Sequence, residues 1–529
     1  MRKIFFNGDV VTMEETNNVT AILCEDGRIK KIGRDLEILK LKKDGDIVID
    51  LKGRTLMPSF IDPHSHITSF ASTLSLADVS KAKNFNEIID ILNNYKLEND
   101  IKKDGLILGF GYDNNFLEEK SHPDKFILDK VSKDIPVLLA HKSGHMGVVN
   151  SKGLEYLNIT KDTKDIQGGK IGRIENSNEP NGYLEELFFI NSASKFPKPS
   201  VESLIKNIEK AQDIYASYGI TTCQDGKTTK EEYYLLKEAA KNNKLKLDTV
   251  MYIDMKKSDD IILNADEYLK KYNNRLKIGG YKIFLDGSPQ GKTAWMKKPY
   301  ENEEEYKGYP IYKDSEVEDF IRQASLENMQ LLAHCNGDAA SEQYISAFEK
   351  LNISNNIRPV MIHAQLTEKE QIERMKKINM IPSFFNLHVY YFGDIHIKNF
   401  GIERAKNISN AKEAIRCKIP FTFHQDTPVL MPNMLESIWC SVNRKTLSGY
   451  TLGEENIIST YDALKAVTIN AAYQYFEEDN KGSIKEGKLA DLVVLSDNPL
   501  KVYKDEIKDI KVLETYKEGN LIYKNKFSI

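Results

Sequence analysis

The chain has 529 residues, 41% apolar and 29% charged, and 74 cationic against 78 anionic side chains leave a formal charge of −4. That length exceeds one simple core and calls for a large domain with an appendage, or two to three domains. The slight acidity excludes the basic field that nucleic-acid binding requires. Five scattered cysteines, Cys24, Cys223, Cys335, Cys417 and Cys440, form no C-x-x-C pair. They argue against a disulfide framework or a cysteine-built zinc site and for a reducing cytoplasm. Residues 1–8 lack the apolar stretch and cleavage site of a signal peptide, and no run approaches a membrane span. A soluble cytoplasmic protein with no membrane partner is expected.

Residues 1–57 read as short strands. Ile4–Phe6 and Val10–Thr12 flank Asn7-Gly8-Asp9, and Ala21–Cys24 and Arg28–Ile32 flank Glu25-Asp26-Gly27. Asn-Gly and Asp-Gly between apolar runs predict two hairpins. A further strand, Asp46–Leu51, leads into Thr55-Leu56-Met57-Pro58-Ser59-Phe60-Ile61-Asp62-Pro63-His64-Ser65-His66. In an extended segment residues i and i+2 share a side, so His64 and His66 can aim two imidazoles at one point, as a divalent metal needs. An ordinary polar pair at a strand end is the alternative.

Residues from about 75 to 200 hold two buried-looking strands, Leu106–Phe110 and Val137–His141, among polar segments such as Gln167-Gly168-Gly169-Lys170 and Glu175–Gly182. Such long irregular connections usually carry function, and a large insertion covering the mouth of the following domain is expected. From about residue 200 helices and strands alternate. Helical patterns in Val201–Tyr218, Glu231–Asn242, Glu316–Asn328, Ala339–Leu351 and Glu368–Ile378 separate the apolar strands Ile220–Gln224, Leu247–Tyr252, Leu276–Leu285, Gln330–His334, Val360–His363, Met380–Phe384 and Pro420–His424. Continuous apolar strands mean a parallel sheet covered on both faces, and so many repeats predict a closed (β/α)8 barrel. After a helix over Thr460–Phe476 the strands Leu489–Leu495, Val512–Tyr516 and Leu521–Tyr523 return to the hairpin style. The fold expected is α/β: a TIM-like barrel over 58–476 with the insertion, and a small β-sandwich built from both ends, 1–57 and 477–529.

Chemistry in such a barrel belongs at the C-terminal strand ends. His334 and His363 end their strands, Asp426 follows Phe421–Gln425, His64 and His66 follow an earlier strand, and Lys282 lies inside Tyr281–Leu285. Each has a bland reading: a hydrogen-bonded histidine, a paired lysine, a turn-capping aspartate. Six such coincidences on one face favour a metal centre.

This set resembles the ligand pattern of the amidohydrolase superfamily, as does the ending Gly482-Ser483-Ile484-Lys485-Glu486-Gly487-Lys488-Leu489-Ala490-Asp491. Lys282 through Asp286-Gly287-Ser288 to Thr293-Ala294, with His334-Cys335-Asn336-Gly337-Asp338-Ala339, is similar to the YtcJ-like branch. Pro382–His388 and His424-Gln425-Asp426-Thr427-Pro428-Val429 resemble the N-substituted formamide deformylases within it. The resemblance implies one divalent metal on His64, His66 and Asp426 and a second on His334 and His363. Lys282 would bridge them as a CO2-derived carbamate, since an ammonium beside two cations would be repelled. Zinc is the default for imidazole and carboxylate donors.

The implied reaction is hydrolysis of an amide-type C–N bond in a small-molecule N-substituted amide or formamide, with Asp426 as proton shuttle. A lactone, phosphoester or amidine substrate stays open because the pocket selects the electrophile. A non-catalytic binding protein would be expected to have lost ligands, and all six are present. His145 and His388 are candidate substrate or oxyanion contacts, with structural roles equally open. Glu186 could solvate a helix or support the site, and Tyr112, Trp295, Tyr390 and Tyr391 could line a pocket or fill core. A homodimer is also open.

Overall fold

The computed structural model describes all residues except 1, 16, 17, 167, 198, 258, 263, 264, 266, 354, 355 and 527–529. The chain forms two compact units, residues 1–68 with 208–529, and residues 69–207.

The larger unit is built on eight parallel strands in sequence order: β1 (Phe60–Ile61), β2 (Ile220–Thr228), β3 (Asp248–Asp254), β4 (Leu276–Phe284), β5 (Gln330–Cys335), β6 (Val360–His363), β7 (Ile381–Phe384) and β8 (Thr422–Phe423). Their apolar residues are buried throughout, as in Leu331-Leu332-Ala333 and Val360-Met361-Ile362, so the strands need cover on both faces. The helices Lys230–Lys241, Asp314–Leu326, Asp338–Leu351 and Lys369–Lys377 supply it and return the chain for the next parallel strand. Their starts are written locally. Thr229 accepts from the Glu232 amide while Glu232 accepts from the Thr229 amide, a reciprocal cap at the start of Lys230–Lys241. The sheet is curled, and beyond its two edge strands the His66 amide donates to the Thr427 carbonyl at 2.9 Å.

The chain ends form two further sheets. Arg28–Gly33, Ala21–Glu25, Arg2–Phe6 and Ile47–Asp50 make one, and Asp9–Val10, Thr55–Pro58, Leu492–Leu495, Val512–Lys517 and Asn520–Lys524 make the other. Phe5, Ile22, Leu56, Leu492 and Tyr516 share one apolar cluster across them. The hairpin at Glu25-Asp26-Gly27 forms, with Asp26 and Gly27 both left-handed at φ 49° and 79°. The hairpin expected at Asn7-Gly8-Asp9 does not. Arg2–Phe6 pairs with Ala21–Glu25 and Ile47–Asp50, whereas Asp9–Val10 crosses to Thr55–Pro58. Neighbouring ladders offer both segments more partners than a two-residue strand could. The helix expected over Thr460–Phe476 is two, Thr460–Ala466 and Ile469–Gln474, because the Val467 carbonyl accepts from Ile61 of β1 instead of from the helix.

At the N-terminal end of β3, buried Asp248 accepts from Lys481 and Lys517, each at 2.6 Å, and from Arg275 at 3.1 Å. Lys517 also holds Asp491 at 2.7 Å, and Lys481 holds Glu477 at 2.5 Å. Charge pairing thus ties residues 477–517 to the strands.

The unit of residues 69–207 carries its own six-stranded sheet, which includes Ile107–Tyr112 and Val137–His141. Residues read as irregular around 169–186 are a strand pair, Gly169–Arg173 antiparallel to Pro180–Glu186, turning at Asn176 with φ 57°. Glycine and asparagine lower the strand signal there, but the ladder overrides it. Gln167 lies outside the described residues.

Candidate metal centre

Six chemistry-bearing side chains sit at or near the C-terminal ends of β1, β4, β5, β6 and β8. After β1, His64 is buried and His66 is partly open. Gln224, in β2, donates its amide to the Pro63 carbonyl at 2.8 Å and lies 3.0 Å from the Tyr475 hydroxyl. Its orientation leaves Oε1 to accept the His64 Nδ1 proton at 2.6 Å. The neutral ring therefore turns its Nε2 lone pair towards Asp426 Oδ1, 3.2 Å away. His66 Nε2 reaches the same oxygen at 3.1 Å.

His363 closes β6 with a left-handed φ of 71°, and Asp426 follows β8 at φ 56°. Such conformations cost ~1–3 kcal/mol outside glycine and persist where the surroundings hold them. His363 Nδ1 lies 3.1 Å from His424 Nε2, and His424 Nδ1 lies 2.9 Å from Ser383 Oγ. His363 Nε2 consequently faces Asp426 Oδ2 at 3.9 Å. Donor atoms of His64, His363 and Asp426 all lie within 4.8 Å of one another. Bonds of ~2.1 Å at tetrahedral angles would separate donors by about 3.4 Å, so this set fits a cation.

Lys282 is fully buried in β4, its Nζ 3.4 Å from His64 Nε2. His334 stands one ring further out. Its centroid is 4.6 Å from that of His363, with Asp286 3.2 Å from Nδ1 and Asn336 3.2 Å from Nε2. The compact trio thus draws His363 to His64 and Asp426, rather than grouping it with His334 alone. His388 opens the helix His388–Phe400, buried, with Nδ1 3.1 Å from His396. Its ring packs 4.5 Å from that of Phe385, which lies 5.5 Å from His424. His145 belongs to the other unit, where it is exposed and 3.0 Å from Glu186. Gln224, His424 and Ser383 orient the ring nitrogens of His64 and His363. Nothing local in the sequence marks Gln224, Ser383 or His424 as partners of these histidines.

Electrostatics suit a metal. Burial, helped by the Lys282 charge, pushes His64 down to about 3, and burial drives His363 and His424 well below the usual imidazole range. Burial works to raise Asp426, but the adjoining His64, His66 and His363 imidazoles outweigh it and hold its carboxyl well below the usual range. Burial brings Lys282 down to about 7. The donors are thus neutral imidazoles and an anion.

One consequence is measurable without substrate. His64 and His396 are each pushed down from 6.5 to about 3, chiefly by burial. Between these values the unfolded chain binds more protons, so stability falls as pH drops. The slope approaches ~1.4 kcal/mol per pH unit for each histidine. Denaturant unfolding of chelator-treated protein across this window checks it, and a flat profile would mean the imidazoles are solvated.

The Amidohydrolase family profile matches residues 47–523. The chain is 27% identical to YtcJ of Bacillus subtilis (strain 168) over 541 residues, covering 99% of both chains. It is 25% identical to the N-substituted formamide deformylase of Arthrobacter pascens over 546 residues, covering 98% of both. A solved metal-dependent hydrolase from Pyrococcus furiosus, itself uncharacterized, has the same fold, with a TM-score of 0.78 and 24% identity over 95% of this chain and all of its own. No described helix is long and apolar enough to cross a membrane. The strand-end donors and a match spanning nearly the whole chain lead to one conclusion: this protein belongs to the Amidohydrolase family, in its YtcJ-like branch, and is a hydrolase acting on carbon–nitrogen bonds.

Proposed function

We propose that the protein hydrolyses the C–N bond of a small N-substituted amide or formamide in the cytoplasm. The observation that carries this reading is the buried donor set of His64, His363 and Asp426, with His66 and Lys282 against it. The end-to-end relative from Arthrobacter pascens supports the substrate class. The eight-stranded sheet is read as a closed (β/α)8 barrel over 58–476, and the terminal sheets, 1–57 and 477–529, as a small β-sandwich.

His64, His66, His334, His363 and Asp426 would hold one or two divalent ions, read as zinc, with Lys282 between them. When bound, the metal would lower the pKa of water from about 15.7 towards 7 and polarise the carbonyl. Gln224 holds His64, and His424 with Ser383 holds His363, so that each presents Nε2. Lys282, brought down to about 7, is substantially neutral at physiological pH, and its amine lone pair can take CO2 as a carbamate. That exchanges a neutral amine for an anionic oxygen donor.

Asp426 accepts a proton from the attacking water and later delivers it to the departing nitrogen. The water oxygen joins the carbonyl carbon, the C–N bond breaks, and an amine and a carboxylate leave. His388, one aromatic ring from His424, is read as a contact to the substrate or the developing oxyanion.

Elemental analysis of protein purified without chelators, with a hydrolysis screen, tests the reading. N-alkyl and N-aryl formamides and amides are expected to be cleaved, and lactones and phosphoesters not. His363→Ala is expected to lower metal occupancy because a ligand is lost outright. Turnover of lactones or phosphoesters alone would replace the substrate class, and full occupancy in His363→Ala would remove that residue from the centre.

A further inference from the structure

A second concave site lies at the opposite ends of the strands. A cavity of about 970 Å³ opens against Asp248, Lys277 and Gln330, at the N-terminal ends of β3, β4 and β5. Along β5, Gln330 and His334 are roughly 13 Å apart at ~3.3 Å per residue, so the cavity does not share the metal centre. Its volume is that of a site for a drug-sized molecule, about 300–1,000 Å³.

The charge balance of the wall points to the sign of an occupant. Five cationic and three anionic side chains line it. The three carboxylates are already committed. Asp248 holds Lys481, Lys517 and Arg275, Glu477 holds Lys277 and Lys481, and Glu518 holds Arg275. Arg28 and Lys270 have no carboxylate partner among the described residues. Arg28 donates only to the Gly487 carbonyl at 2.7 Å and towards Asn480 at 3.4 Å. The wall also carries the partly exposed Tyr272 and five asparagines able to donate amide hydrogens. The Lys277 and Lys481 ammonium groups lie 4.8 and 4.6 Å from the Tyr272 ring centre and are paired with Asp248 and Glu477, which leaves Arg28 and Lys270 as the unpaired charges of the wall among the described residues.

We propose that this cavity is a second small-molecule site that takes a planar aromatic carboxylate, with its carboxylate on Arg28 and Lys270 and its ring against Tyr272. The site lies outside the catalytic face and does not depend on the reaction proposed above.

Calorimetric titration of the metal-loaded protein with 2-naphthoate tests it. Binding is expected in the native protein, and Arg28→Glu and Lys270→Glu should each weaken it about tenfold or more, the effect of ~1.4 kcal/mol of lost attraction. Both side chains are exposed and lie on separate segments, so the two variants check each other, and circular dichroism verifies their fold. Because a carboxylate could instead ligate the metal, His363→Ala is titrated in parallel and is expected to bind as the native protein does. Naphthylmethylammonium, of similar size and opposite charge, should bind at least about tenfold more weakly. The proposal is overturned if 2-naphthoate does not bind or the ammonium binds equally well. It is equally overturned if binding survives both charge reversals but is lost in His363→Ala.

Discussion

Asp426→Asn is expected to lower kcat by roughly 10²–10⁴-fold, the usual scale for losing a general base, while leaving most of the metal in place. The argument rests on what the substitution keeps. Asparagine preserves the size of the side chain and one carbonyl oxygen, and the His64, His66 and His363 imidazoles still converge on the same point. What disappears is the charge and the oxygen that can accept and return a proton. The ionised state of Asp426 comes from its neighbours, since burial alone would raise its pKa and the adjoining His64 and His66 imidazoles reverse that. Metal content and kcat measured on the same preparation separate the two roles. Near-normal kcat at full occupancy would mean the carboxylate is not the proton shuttle.

A second large effect lies far from the chemistry. Asp248→Ala is expected to destabilise the fold by ~3–5 kcal/mol, the scale for breaking a buried ion pair from one side. Asp248 is 4% exposed and accepts from Lys481, Lys517 and Arg275. Its removal leaves two buried ammonium groups with Glu477, Asp491 and, at 3.9 Å, Glu518 as their carboxylates among the described residues. Because Lys481 and Lys517 come from the C-terminal segment and Asp248 begins β3, the loss should loosen the terminal strands from the curled sheet. Denaturant midpoints read the change, and hydrogen exchange along Val512–Lys517 should report it first. A cost below about 1 kcal/mol would mean that water reaches these lysines and screens them as it does surface pairs.

Much of this architecture is written in local pattern. Apolar runs such as Leu331-Leu332-Ala333 followed by a histidine, with amphipathic stretches between them, reveal parallel strands and their chemical ends, because both signals depend on neighbours a few residues apart. The spacing His64-x-His66 belongs to the same class, as does the left-handed pair Asp26-Gly27 that makes a hairpin. The strand pair near 169–186 escaped because glycine and asparagine carry little strand signal, and only its antiparallel partner gives it a ladder.

The alternating strands and helices, the order of the donors along the chain and the chemical type of each follow from side-chain identity and short-range periodicity. Tertiary structure alone decided which donors converge and which nitrogen each imidazole presents. Gln224 selects the His64 tautomer from 160 residues away, and His424 orients His363 from 61. It also sent Arg2–Phe6 and Asp9–Val10 to different sheets and split the helix at Val467. The physical reason is common to all of these. A buried polar group must find a partner, and the partner available is whichever group the packed chain brings within hydrogen-bond distance, irrespective of its separation in sequence.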